Sequence, residues 1–102
     1  MLYHIAEATK FTPDRHHTEL VSDFPEGRLA VFSLEPGQSV SGHQAPARVL
    51  MYVVQGQGEF IVGDQVLKAQ RGDIANVDPY VTHGMQALGE QFVVMATIIR
   101  VS

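Results

Sequence analysis

Two histidines forty positions apart, His43 and His83, are the side chains of this sequence best equipped for chemistry. A neutral imidazole ligates transition metals, donates and accepts hydrogen bonds, and titrates near neutral pH, where it can act as acid or base. Three roles follow for the pair. They can ligate one divalent transition metal, hydrogen-bond or exchange protons with a small molecule in a metal-free pocket, or serve structure alone with their hydrogen bonds satisfied internally. With no cysteine in the chain, thiolate catalysis, disulfides and cysteine-ligated metals are excluded. Met51, Met85 and Met95 offer thioethers, which suit soft copper ions. As packing material they fill or line irregular apolar space.

Other candidates are weaker by spacing. His16, His17 and Asp14 lie close in sequence, but adjacent residues point apart on any regular element, so a solvated loop accounts for them. Asp78-Pro79 is turn chemistry that leads toward His83, and its carboxylate is a possible orienter of an imidazole. Tyr80 brings a phenol to the same turn and is expected at the pocket rim. Arg48, next to a strand run, is a candidate contact for an anionic ligand or a solvated side chain.

The elements that must position these residues are short strands. Leu29–Leu34 is a strand-length run, and Val49–Val54 is a second, denser one with β-branched residues. Gln55-Gly56-Gln57-Gly58 then leads to Glu59–Val62, and Gly63-Asp64 leads to Val66-Leu67, which predicts two hairpins in succession. Arg71-Gly72-Asp73 turns into Ile74–Val77, which Asp78-Pro79 ends. Phe92–Val101 is a continuous apolar run of the kind found on a strand covered on both faces. Pro13–Asp23 reads either as a helical turn or as loop and edge strand. No segment of ten or more residues carries a 3.6-residue apolar period uninterrupted by glycine or proline. Strands at this spacing predict an all-β sandwich or closed barrel, which hides the edges of short antiparallel strands.

The same residues resemble the two sequence motifs of the cupin superfamily, specifically its small single-domain cupins of the RmlC-like type. The first motif, G-x5-H-x-H-x3-E-x6-G, finds Gly37, His43 and Gly56 in place, with Ala45 at its second histidine and Val49 at its glutamate. The second, G-x5-P-x-G-x2-H-x3-N, finds Gly72 and His83, with Asp78 at the proline, Tyr80 at the glycine and Ala87 at the asparagine. The resemblance covers roughly Leu34–Ala87 and implies an antiparallel jelly-roll-like β-barrel, also called a double-stranded β-helix, with a pocket in its wide mouth. It also implies a metal held by inward-facing histidines. Half of the ligand set is hydrocarbon here, so His43 and His83 remain as the candidate metal ligands, or as catalytic residues if the protein is an enzyme. Tyr80 in the glycine position implies either that the backbone there needs no positive φ or that the loop differs locally.

Length and charge set the remaining bounds. The 102 residues suit one domain spanning 1–102, 45% of them apolar and 18% charged. Net charge is −4, and the seven lysines and arginines are scattered without a cluster that could track phosphates. Nucleic acid is therefore not an expected partner. No run approaches the roughly 18 apolar residues of a membrane span, and the N-terminus lacks a signal-peptide pattern, so a cytoplasmic location is expected. A chain this small leaves much surface to cover, which makes a homodimer expected. The expected function is binding of a small, largely apolar organic molecule in a pocket around His43 and His83, with Met51, Tyr80 and Met85 as further contacts. The alternative is a metal-dependent enzyme, dioxygenase or isomerase in type, with an incomplete two-histidine site. A metal-free isomerase or epimerase using a histidine base is a third reading, and it requires a carboxylate beside one imidazole. Phe32, Val49 and Val53, with Phe92 and Met95 from the last strand, complete the expected pocket lining.

Overall fold

A computed structural model describes residues 1–101. Among them the chain forms one short helix, α1 (Ile5–Ala8), and nine strands: β1 (His17–Phe24), β2 (Gly27–Leu34), β3 (Ser39–His43), β4 (Ala47–Gln55), β5 (Gln57–Val62), β6 (Gln65–Gln70), β7 (Ile74–Val77), β8 (His83–Ala87) and β9 (Phe92–Arg100). They make two antiparallel sheets, one ordered β1-β2-β9-β4-β7 and the other β3-β8-β5-β6. This is the all-β class that the strand spacing predicts and the antiparallel jelly-roll-like barrel that the motif resemblance implies. No helix among the described residues is long and apolar enough to cross a membrane.

Period-two alternation builds the interior. On β4, Ala47, Val49, Met51 and Val53 are buried while their neighbours are half-buried. From β9 the same interior receives Phe92, Val94 and Ala96, and from β2 it receives Leu34, with Phe32 and Ile98 packed against them. The second sheet closes the core with Phe60 of β5 and Met85 and Ala87 of β8. Phe60 and Phe92 meet across the sheets with ring centroids 5.9 Å apart in a tilted arrangement. Each fully buried large side chain contributes about 1.5–3 kcal/mol through removal of its surface from water. β9 is a central strand between β2 and β4, which explains its continuous apolar run: Val93 and Met95 join a smaller outer cluster with Val31 of β2 and Ala8 of α1.

One expectation needs correction. Val49–Val54 and Glu59–Val62 do not form a hairpin, because β4 pairs with β7 and β9 while β5 pairs with β6 and β8 in the other sheet. Gly56 is a corner between sheets. Its φ is +82°, and a Cβ there would lie 1.9 Å from the carbonyl oxygen of Gln91, so the chain turns where a side chain has no room. The second expected hairpin, β5–β6 across Gly63-Asp64, forms with Val62 opposite Gln65. Pro13–Asp23 resolves to loop followed by the edge strand β1. Ahead of that loop, Ile5–Ala8 forms the helix α1.

Candidate functional site

The two histidines meet because β3 and β8 pair with His43 directly opposite His83. Between Val40, opposite Met85, and His43, opposite His83, β3 uses three steps where β8 uses two. That extra residue is a β-bulge, and it reverses the alternation so that both Val40 and His43 line the interior. Gly84 makes the bulge possible: a Cβ at that position would lie 2.7 Å from the Val40 carbonyl oxygen and 3.0 Å from the Gly42 nitrogen. The result is a pair of imidazoles with ring centroids 4.3 Å apart, tilted by 55°.

The rings differ in surroundings and agree in orientation. His83 is 7% exposed, whereas His43 is exposed to solvent. Nδ1 of His83 lies 3.2 Å from the Val81 carbonyl oxygen, and Nδ1 of His43 lies 3.2 Å from that of Ser41. A carbonyl only accepts, so in each ring Nδ1 carries the donated hydrogen and the neutral ring keeps its lone pair on Nε2. Neither Nε2 has a hydrogen-bond partner among the described residues. No buried side-chain nitrogen or oxygen there lacks a partner, so the unpartnered Nε2 of His83 is open to solvent or ligand. Burial lowers the pKa of His83 from its ordinary 6.5; the Val81 carbonyl opposes this and the neighbouring His43 adds to it. At neutral pH His83 is therefore a neutral acceptor.

The histidines line a cavity of about 40 Å³ with Phe32, Val49, Met51 and Met85. Val40, Gly84, Ala96 and Ile98 complete it. Its volume compares with the roughly 30 Å³ that a water molecule occupies in the liquid, so it admits a methyl-sized group and not a whole ring. Above it, sharing His43 and Ile98, opens a wider hollow of about 360 Å³ at the barrel mouth, which Arg28, Ala45, Ala47 and Arg100 help to form. Together they make a narrow apolar throat beneath a wider vestibule edged by two arginines.

The structure thus gathers His43, His83, Met51 and Met85 around one cavity and leaves Tyr80 out of its lining. Tyr80 is 62% exposed, with φ +68°. The backbone in that turn does take the positive φ of the motif's glycine, with a tyrosine in it, contrary to the first of the two possibilities read from the sequence. Val53 and Phe92 lie deeper, in the packed core, and Met95 is on the outer face of β9 because the inner positions are Phe92, Val94, Ala96 and Ile98. Arg48 is on the outer side of β4, paired with Asp78 at 2.8 Å and bonded to Asn76 at 2.6 Å. Asp78 thereby orients an arginine and no imidazole. His17 pairs with Glu19 at 3.0 Å. Arg28, Ala96 and Ile98 carried no signal in the sequence as site residues, because the face a strand residue occupies depends on register.

A metal of the kind the motifs imply needs more than this donor set. Catalytic zinc sites supply three protein ligands, and the non-haem iron triad supplies two histidines and a carboxylate. Ala45 and Val49 carry no donor atom, and no group of three or more histidine, aspartate or glutamate residues able to hold a metal ion occurs among the described residues. The residues present do not fit a tightly held metal. Among the described residues no carboxylate is bonded to either imidazole, since both Nδ1 atoms bond to the main chain.

Comparison with known proteins places this geometry in context. A family model described as the cupin domain matches residues 30–99. An RmlC-like cupin protein from Desulfovibrio desulfuricans is 29% identical, with a TM-score of 0.86 over 97% of this chain and 96% of the other. An uncharacterized conserved protein with a double-stranded β-helix domain from Klebsiella pneumoniae is 23% identical, with a TM-score of 0.90 over 96% of this chain and 88% of the other. A predicted oxalate decarboxylase from Thermotoga maritima is 20% identical, with a TM-score of 0.80 over 84% of this chain and 81% of the other. These last two likenesses concern the fold alone. Among curated proteins no match was found.

Proposed function

The chain belongs to the cupin family, and from that premise we propose that it binds a small, largely apolar organic molecule at the open end of its barrel, with His43 and His83 as the polar partners. The observation that carries this reading is the solvent-accessible, unpartnered Nε2 of a nearly buried, neutral His83 beside an apolar throat. Pockets for small molecules combine mainly apolar walls with a few placed polar groups, and this one has that composition. A hydroxyl of the ligand or a bridging water donates to Nε2, while an apolar group of about methyl size enters the space beside Val49, Met51 and Met85.

The test is ligand-induced thermal stabilisation across a library of small organic molecules, run in excess EDTA. Hits that stabilise the wild type in EDTA and lose their effect in His83→Ala support the reading. Stabilisation that disappears in EDTA and returns only with added metal overturns it in favour of a metal-dependent site.

The protein is further proposed to work as a homodimer. Ile74 and Ile99 stand on the outer face of the five-stranded sheet and are 64% and 44% exposed, apolar surface that a second copy would cover. Sedimentation velocity at micromolar concentration would give twice the chain mass, and a monomer at that concentration would contradict it.

A further inference from the structure

The vestibule above the histidines carries a charge arrangement that the throat does not need. Arg28 sits on β2 on the same face as Phe32, two alternations nearer the mouth, and Arg100 sits at the end of β9 on the same face as Ile98. Both line the hollow of about 360 Å³ that shares His43 and Ile98 with the throat below. Their environments differ. Arg100 is held from two sides: its Nη2 pairs with Asp23 Oδ1 at 3.2 Å, and its Nη1 donates to the Phe24 carbonyl at 2.6 Å. Glu26, in the same β1–β2 turn, gives Arg100 only its main-chain carbonyl, which accepts from the Arg100 backbone N–H at 2.8 Å. Asp23 is also the register partner of Arg28, but its carboxylate is the one engaged by Arg100. Arg28 has no ion pair and no side-chain hydrogen bond among the described residues.

Among the described residues the Asp23 carboxylate is engaged by Arg100, which leaves Arg28 as the guanidinium at the mouth without an ion-pair partner. A guanidinium offers a planar fork of donors matched to a carboxylate, and such charge-assisted pairs are stronger than neutral hydrogen bonds. The throat beneath is too small for a ring and is walled by Val49, Met51 and Ile98.

We infer that the ligand is a small monocarboxylate, its carboxylate held at the rim by Arg28 and its short apolar tail directed toward His43 and His83. A single unpaired guanidinium matches one carboxylate, which favours a monoanion over a dianion. The inference deepens the binding reading above and rests on it: the histidines and throat define where the ligand sits, and Arg28 defines its charge.

The experiment is a titration followed by ¹H–¹⁵N NMR, using propionate and butyrate against their neutral isosteres propionamide and butyramide. Wild type, Arg28→Gln, Arg28→Lys and His83→Ala are compared at low and high ionic strength. Expected are shifts at throat and rim residues, acids binding at least about tenfold more tightly than the matched amides, and a loss of that preference in Arg28→Gln. Arg28→Lys should keep part of it, and raised salt should weaken the acids alone because the rim is exposed. Amides binding as well as the acids, with Arg28→Gln leaving both unchanged and His83→Ala weakening both, would overturn the carboxylate assignment while leaving the pocket reading intact. No shift at the throat with any of the four probes would overturn both.

Discussion

The two ends of the barrel interior share β2, β4 and β9, on the same faces, and differ in the size and polarity of the residues placed there. At the closed end Leu34, Val53, Phe60 and Phe92 are 0–2% exposed and pack in one hydrocarbon cluster. At the open end the corresponding alternate positions are Arg28 on β2, Ala47 on β4, Ile98 on β9 and His83 on β8. Along β2 Leu34 gives way to Arg28 and along β4 Val53 gives way to Ala47, while β8 ends in His83 and β9 keeps a hydrocarbon, Ile98, at the mouth. A packed core thus becomes a throat with no change of backbone plan, and function is expected to concentrate where packing stops.

The contrast breaks most severely at the closed end. Phe92→Ala should destabilise the protein by about 3–5 kcal/mol, because it removes a buried ring and leaves a cavity in a dense core. Urea unfolding would read this, and a loss under about 1 kcal/mol would show the closed end to be looser than described. At the open end, Val49→Glu should convert the donor set into two imidazoles and a carboxylate. The variant is expected to be stabilised by added nickel or iron(II), by about 2.7 kcal/mol when the metal is present at a hundred times its dissociation constant. The wild type should show no such gain in thermal melts. Equal gains in both proteins would mean that the metal binds elsewhere.

Outside the barrel, Tyr80→Gly should stabilise the fold by up to about 1 kcal/mol. The backbone there has φ +68°, which disfavours a side chain, and the exposed phenol has little packing to lose. A lower melting temperature for Tyr80→Gly would point to a phenol contact of real value. pH offers the gentlest probe. Because the folded-state pKa of His83 is lowered from 6.5, the unfolded chain takes up a proton first as pH falls. Stability attributable to His83 is full above pH 6.5, declines as pH drops through that value, and levels off once pH is below the lowered folded pKa. Urea midpoints between pH 8 and pH 4 should fall less steeply for His83→Gln than for the wild type, and parallel curves would contradict the shift.

Much of the fold was legible because its signals are local. Strand-length apolar runs, the Gly63-Asp64 turn and the glycines at 37, 56 and 72 carry their meaning in a few residues each, and the last three all adopt positive φ. The pairing of β4 was not legible, since Gly56 signals a sharp turn equally well in a hairpin and at a corner between sheets. At the site, the spacing of His43 and His83 identified the pair, and Ala45 and Val49 announced the missing donors. The β3 bulge that turns His43 inward depends on Gly84 lying against Val40, a contact between strands some forty residues apart in sequence. Arg28, Ala96 and Ile98 stayed hidden for a related reason: alternation reveals that a strand has two faces without revealing which one looks inward. Met95 was misassigned to the pocket by that ambiguity.

The central claim is that the open end is an organic-ligand site whose two histidines work without a resident metal. Its most direct test is elemental analysis of untagged protein purified without chelator, alongside the His43→Ala/His83→Ala double variant. The account predicts transition metal far below one per chain, and the same in both proteins. Near-stoichiometric metal in the wild type that is absent from the double variant would contradict it.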